Sequence, residues 1–592
     1  MNKKFKITLI ISAIIIILSG ILIYSFLYNN QNDNEIEPNM EEIGFFQYHN
    51  FEESIIRIVS EHNINTEFYP LMVDGRIYLP YNFLQKYVDR HIFWEPNSNR
   101  LSISKIDYFR NEMFRFEPNN LIYTINWIEF DLEYPILRIN DIAYLPKPLV
   151  MEIYNINIEF EEEYNILIFD SPGSIYQIYQ INLDLDSIDY WVQLRYSYSL
   201  QSPIAARLQN GQTVYSFGME NEGFLQIRLE NGISGFVEYR YLNFESYNIV
   251  PDIVQNPRRP QLKPSFDGHI NFLWQYVNRY SAANVSAFYA PLGVNVISPK
   301  WFTFDPLALN GDIVSLANHT YMAWARENNL EVWPMFTDNF NPNIARMALD
   351  NAQIRDHIIN QIMNFIIEFD LDGINIDYES VPIDMAGYWI QFLREISIPM
   401  REVGAILSVA TFVPMPWSMF WNRYEIGMVA DYVIIMGYDE HYGFMNRPGQ
   451  ASGSTASFPF VLNSIINTIY EVPSYRVVIG LPTFVRIYRE ETFPDGSIMT
   501  NHHQAVGMNA ARHFIESRGG SFVWDYINRQ YYGEISAIEN GNEVLYRLWL
   551  ADLRSHSEKF ALIRQYDLAG VAFWQKGLAL PEMWSLLQNF ID

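Results

Sequence analysis

Cysteine is missing from all 592 residues, so the chain can form no disulfide, no thiolate metal site and no cysteine nucleophile. An exported chain need not carry cysteine, so this absence leaves the compartment open. Basic residues are the second shortage: 40 Lys and Arg stand against 68 Asp and Glu, for a formal net charge of −28. Binding a phosphate backbone needs clustered Lys and Arg, which argues against nucleic acid as a partner. No group of histidines has the spacing of metal ligands, so neither a metal nor another cofactor is expected. What the chain does have is apolar material, 49% hydrophobic and 16% aromatic, enough for several cores over a length that suggests three or four domains.

Lys3, Lys4 and Lys6 precede an uncharged apolar run from Ile7 to Leu27. At about 21 residues it would span ~31 Å as a helix, close to the ~30 Å hydrocarbon core of a bilayer. A cleaved signal peptide would have a shorter apolar region and a small-residue cleavage site, whereas Tyr28-Asn29-Asn30-Gln31 follows here. Residues 1–27 are therefore expected to be a cytoplasmic tip and transmembrane signal-anchor, and 28–64 a juxtamembrane linker. Basic residues before the run and the acidic Asp33, Glu35, Glu37, Glu41 and Glu42 after it put the remaining domains outside, on a bacterial cell membrane.

From about 65 to 170 the chain repeats itself. Tyr78-Leu79-Pro80 recurs as Tyr144-Leu145-Pro146, and Ile92-Phe93-Trp94 and Leu101-Ser102-Ile103 recur at the same offset as Ile158-Glu159-Phe160 and Leu167-Ile168-Phe169. Each copy reads as a hairpin turn (Asp74-Gly75, Asn140-Asp141), a strand, a helix and two more strands. This duplicated α+β module resembles the N-terminal domain of copper amine oxidases, and its expected role is that of a stalk or wall-contacting spacer. Residues 187–247 follow, with turns at Asn210-Gly211, Glu222-Gly223 and Asn231-Gly232 spaced as in a small β-barrel. The strings Gly223-Phe224-Leu225-Gln226-Ile227 and Gly232-Ile233-Ser234-Gly235-Phe236-Val237 make it resemble the bacterial SH3-like domain, which implies either cell-wall contact or a spacer. Residues 248–265 read as a proline-rich linker, with Pro257, Pro260 and Pro264.

The remaining residues, 266–592, suit one (β/α)8 TIM barrel with an insertion at about 486–541. Eight strand-like runs alternate with helical stretches: His269–Trp274, Gly293–Ser298, Glu331–Phe336, Gly373–Glu379, Ile406–Phe412, Tyr432–Tyr438, Val477–Phe484 and Gly570–Trp574. In the fourth, apolar and polar residues alternate, so that Gly373, Asn375, Asp377 and Glu379 share one face. A face carrying an amide and two carboxylates is not ordinary core. In a parallel barrel it points inward, and its last residues open into the mouth.

Asp372-Gly373-Ile374-Asn375-Ile376-Asp377-Tyr378-Glu379 resembles the strand-four signature of glycoside hydrolase family 18, and Met436-Gly437-Tyr438-Asp439 its strand-six motif. Gly480-Leu481-Pro482 and Trp574 fit strands seven and eight, while Ser298-Pro299-Lys300-Trp301-Phe302 is similar to the spore cortex-lytic N-acetylglucosaminidase branch. The resemblance implies a retaining, substrate-assisted glycosidase acting next to N-acetylglucosamine in peptidoglycan or a chitin-like glycan. The same resemblance makes Glu379 the acid, has Asp377 and Tyr438 orient the acetamido group, and has Asp439 hold the ring above Trp574. Asp372, Asn375, Met436, Trp301 and His441 complete the substrate-binding residues expected here. Trp417 and Trp421 could be sugar platforms or core, and Glu440 an auxiliary acid or a structural residue. Many family members have an acid where this chain has Asn375, which leaves open a second reading as a non-catalytic glycan-binding protein.

Overall fold

The structure, a computed structural model, describes residues 42–183, 190–251, 258–278, 289–308, 310–441, 447–448 and 452–591. The apolar run Ile7–Leu27 lies outside these residues. Among those described, no helix is long and apolar enough to cross a membrane. The chain forms two compact units, Met1–Arg90 with Tyr144–Gln255, and His91–Ala143 with Asn256–Asp592.

In the first unit the two repeats meet: Tyr78, Leu79 and Pro80 pair antiparallel with Pro146, Leu145 and Tyr144, so the recurring tripeptides face each other. The turns read from sequence are present, with positive φ at Asp74 and Gly75. Strands Arg57–Ser60 and Ile166–Ile168 pair in parallel. Their Val59, Ile166 and Ile168 share a core with Tyr179, Leu194, Val214, Leu225 and Val237 of an antiparallel sheet. That sheet starts before residue 187, since Ile175–Ile181 pairs with both Thr213–Ser216 and Leu242–Ile249.

The second unit is built on eight parallel strands: β1 (Ile270–Gln275), β2 (Val296–Phe304), β3 (Met335–Thr337), β4 (Gly373–Asp377), β5 (Ile406–Phe412), β6 (Tyr432–Met436), β7 (Val477–Pro482) and β8 (Gly570–Trp574). They pair in sequence order, and β8 closes on β1 to complete a TIM barrel. Closure needs glycine at 570, where a Cβ would lie 1.9 Å from the Ile270 carbonyl oxygen. Inward-facing Phe272, Trp274, Met335, Ile406, Ala410, Ile434, Val478 and Ala572 fill the interior, while Ile374 and Ile376 of β4 and Tyr378 just past it pack outward.

Local signals set the entrance to β4. Asn351 caps the helix Ala352–Phe369 by accepting from the Gln353 and Ile354 amides at 2.9 and 3.0 Å. Asp370, at φ 52°, ends the helix in the left-handed region, and the Leu371 amide bonds back to the Ile366 carbonyl at 3.0 Å. Asn351→Ala is expected to lower the stability of this unit by about 1 kcal/mol, measured by urea denaturation, with activity per folded molecule unchanged.

Two expectations gain detail. Residues 92–131, within the stretch read as the 65–170 module, form a five-stranded sheet that groups with the barrel in the second compact unit. The cause is a buried ion cluster. Arg355, with no exposed side-chain area, donates to Glu95 at 2.8 and 2.6 Å and to Glu395 at 2.7 and 3.1 Å. Arg100 pairs with Asp356 at 2.6 Å beside it, and Phe93 meets Tyr388 edge-on at 5.3 Å. The insertion is also wider than 486–541. Phe484–Thr492, Ile498–Gly507, Phe522–Asp525, Gln530–Glu539 and Asn542–Trp549 form one sheet with its own core around Phe514, Ile515 and Tyr546.

Candidate active site

The carboxyl ends of β3, β4 and β6 bring four acids together. Asp377 is the last residue of β4 and Glu379 lies two beyond it; Asp338 follows β3, and Asp439 lies just past β6. Burial raises the pKa of each, and neighbouring acids add to this at Asp377 and Glu379. Asp377 is pushed up to about 7 by burial and by the charge of Asp338, against the opposing pull of Lys300. Glu379 is held well above the ordinary carboxyl range by burial, then by Asp377, Asp338 and Asp439. A carboxyl group in that position keeps its proton at neutral pH, as a general acid requires.

The two catalytic candidates differ in their surroundings. Asp377 is almost fully buried, and its Oδ1 has no hydrogen-bond partner among the described residues, so the site presents a buried acceptor. Tyr438 stands beside it, its hydroxyl pKa raised by burial and by Glu379, Asp377 and Asp439. It therefore stays protonated and able to donate. Its ring lies edge-on to Phe484 at 6.0 Å, and at Gly480 a Cβ would approach the ring within 3.4 Å. Asp439, at φ 61°, is clamped by Arg486, whose Nε and Nη2 donate to Oδ1 at 2.8 and 2.7 Å. Trp574 ends β8 half-buried, with its ring 6.0 Å from that of Trp274.

Asn375 is fully buried inside the barrel and points to other partners. Its Oδ1 accepts from Trp274 Nε1 at 2.9 Å, and its Nδ2 donates to Ser408 Oγ at 3.0 Å. Ser408 Oγ in turn donates to the Ile374 carbonyl at 3.0 Å. Met436 closes β6, buried, one residue before the turn to Tyr438.

Other predicted residues fall elsewhere. Asp372 precedes β4, at the end of the barrel opposite the mouth. It accepts from Arg326 Nη1 at 2.7 and 2.8 Å and from the Val332 amide at 2.8 Å, so it is a structural acid and not a substrate contact. Trp301 is also corrected: it is wholly buried, edge-on to Tyr321 at 5.0 Å, in the core between strands and helices. Trp421 is core as well, whereas Trp417 is 58% exposed and packs against Phe412 at the end of β5. The His441 ring bonds the Ser454 carbonyl at 3.0 Å and is anchored to the loop. Glu440 accepts from the Ser457 amide and hydroxyl at 2.8 and 3.0 Å and holds a helix start.

Sequence reading missed three functional side chains. Asp338 and Lys300 had a usable signal, a charged residue on or just past an apolar barrel strand; the run read for β3 ends at Phe336, two residues short of Asp338. Arg486 had none, because a single arginine at the edge of an insertion has no distinguishing context.

A closed parallel barrel with acids of raised proton affinity gathered at the carboxyl ends of its strands has the layout of a TIM-barrel active site and suits a glycosidase. The chain belongs to glycosyl hydrolases family 18, whose model matches residues 274–578. The copper amine oxidase N-terminal domain model matches residues 58–169, on both sides of the boundary between the two compact units. Among curated proteins, the chain is 23% identical over 314 residues to the "Uncharacterized glycosylase YvbX" of Bacillus subtilis (strain 168), covering 50% of this chain and 84% of that one. It is 24% identical over 257 residues to the "Cortical fragment-lytic enzyme" of the same organism, covering 42% of this chain and 57% of that one. Among solved structures, the Bacillus megaterium QM B1551 spore cortex-lytic enzyme SleL aligns with a TM-score of 0.45 at 16% identity, over 59% of this chain and 78% of that one. Membership of the family implies a glycan substrate containing N-acetylglucosamine.

Proposed function

We propose that the chain hydrolyses β-1,4 bonds next to N-acetylglucosamine in peptidoglycan, with chitin-like glycans as the alternative substrate. The mechanism is retaining and substrate-assisted. Glu379 protonates the leaving oxygen while the carbonyl oxygen of the sugar's own 2-acetamido group attacks the anomeric carbon, breaking the glycosidic bond and forming an oxazolinium ion. Asp377 Oδ1 accepts the acetamido N–H and offsets the positive charge, and Tyr438 donates to the carbonyl oxygen. Asp439, held by Arg486, fixes the ring over Trp574. Water then opens the oxazolinium, giving its proton to Glu379. The observation that carries this reading is the pairing of a partly buried, proton-holding Glu379 with a buried Asp377 oxygen that lacks a donor among the described residues.

Peptidoglycan is favoured by the similarity to the cortical fragment-lytic enzyme, and by the apolar run Ile7–Leu27, which would anchor the protein in the cell membrane with its domains outside. The strands from 187 to 247 would then serve as an SH3-like wall contact or spacer. One observation favours the second reading, a glycan-binding protein without turnover: Asn375, tied to Trp274 and Ser408, cannot pass a proton to Asp377. Incubating the purified chain with peptidoglycan, and separately with chitin oligosaccharides, separates the readings. Mass spectrometry is expected to find new N-acetylglucosamine reducing ends, and NMR to find them first in the β configuration. Saturable binding without any cleavage would establish the glycan-binding protein instead.

A further inference from the structure

The carboxylate that β4 lacks at 375 has a counterpart one strand away. Met335, Phe336 and Thr337 of β3 pair with Asn375, Ile376 and Asp377 of β4. The next residue, Asp338, therefore falls level with Tyr378, between Asp377 and Glu379. It is fully buried. Its Oδ2 accepts from the Ser380 amide at 2.7 Å and its Oδ1 from the Phe340 amide at 3.0 Å, and the Glu379 amide also bonds to it. This single side chain ties down the backbone on which Glu379 is mounted.

Asp338 also faces the reacting acids through its charge. The charged and titratable groups around the pair Asp377 and Glu379 are Lys300 from β2, Asp338 just past β3, and Tyr438 and Asp439 from beyond β6, with Arg486 of the insertion already committed to Asp439. Asp338 raises the proton affinity of Asp377 and of Glu379, and Lys300 lowers both. Asn375 contributes no charge, and both ends of its amide are occupied.

We infer that Asp338 is a positioning residue for the reaction proposed above, on which this inference rests: from the end of β3 it fixes the backbone that presents Glu379 and sets against Asp377 the negative charge that position 375 does not supply. The field on the acid pair thus comes from the neighbouring strand. Asp377 need not exchange a proton with residue 375 to be tuned for its task.

Asp338→Asn tests this, since it keeps an acceptor for the amides and removes the charge. In the full chain labelled with 13C at the aspartate side-chain carboxyls, the Asp377 resonance is identified by its loss in Asp377→Asn. It is expected to titrate near 7 in the wild type and roughly one unit lower in Asp338→Asn. On a substrate the wild type cleaves, both limbs of the kcat/KM profile should move to lower pH. There kcat should fall about tenfold or more, with KM changed by less than about threefold. Adding Asn375→Asp should move the Asp377 titration back up. If Asp338→Asn does not fold, Asp338→Ser provides the uncharged acceptor. An Asp377 resonance that titrates at the wild-type pH in the folded variant overturns the inference, whether or not the protein is a hydrolase. A shifted resonance in a wild type that cleaves nothing would sink the functional reading and leave the charge relation standing.

Discussion

Glu379→Gln is expected to reduce cleavage by at least ~10²-fold, the lower worth of a positioned general acid, with KM within a few-fold of the wild type. Glutamine fills the same space and can still hydrogen-bond the glycosidic oxygen, but it has no proton to release. The same burial and like charges predict the pH dependence. Because Asp377, Asp338 and Asp439 all raise the pKa of Glu379, its protonated form persists far above the pH at which an exposed glutamate ionises. Activity should therefore be lost on the alkaline side only well above the ordinary carboxyl range, as Glu379 ionises. The acid limb should lie near 7, where Asp377 takes up a proton and can no longer offset the oxazolinium charge. Release of reducing ends by the wild type and the variant across this range checks both points. Equal turnover in Glu379→Gln would remove Glu379 from the mechanism.

The largest expected effect on stability lies away from the mouth. Arg355→Met leaves Glu95 and Glu395, both wholly buried, without the guanidinium that bonds them, with only the charges of Arg100 and Arg115 nearby. Removing one partner of a buried ion pair costs about 3–5 kcal/mol, because the remaining charge has lost its compensation. The sign with pH follows from which group can adapt. In the variant the two glutamates gain proton affinity on folding, so the deficit should be greatest at alkaline pH and shrink as the pH falls and they protonate. Guanidinium denaturation of the full chain at pH 5 and pH 8, followed by tryptophan fluorescence, reads the difference. Replacing both glutamates by glutamine in the Arg355→Met background should recover much of the loss. If the single variant matched the wild type at both pH values, the cluster would have no part in holding the 92–131 sheet to the barrel.

Strand order and the acid pair on β4 were legible because alternation is local: Asn375, Asp377 and Glu379 reach one face by geometry alone. The repeat was legible for a similar reason, since Tyr78-Leu79-Pro80 and Tyr144-Leu145-Pro146 are the same residues and pair with each other. Contacts between residues far apart were not. Glu95 looks like any acid ending a strand until Arg355, 260 positions later, is placed against it. Asp372 and Trp301 failed for the opposite reason. They sit within the matched motifs, yet one lies before the start of β4 and the other points outward from β2, so proximity in sequence to functional residues said nothing about reaching the mouth. Asp338 was missed because the apolar run of β3 ends before it and its role depends on the register with β4.

The sheet formed by residues 92–131 has a consequence for how such a protein can be recombined. Its chain crosses between the two compact units at 90/91, 143/144 and 255/256, so the catalytic unit is discontinuous in the gene. A barrel cut out at residue 266 and moved behind another anchor would leave Glu95 behind and carry Arg355 and Glu395 with it, exposing to solvent a pair that the 92–131 sheet had covered. The transplantable piece is therefore two segments long, and exchange of whole domains at the proline-rich linker is closed to this architecture unless Arg355 and Glu395 change in the same step.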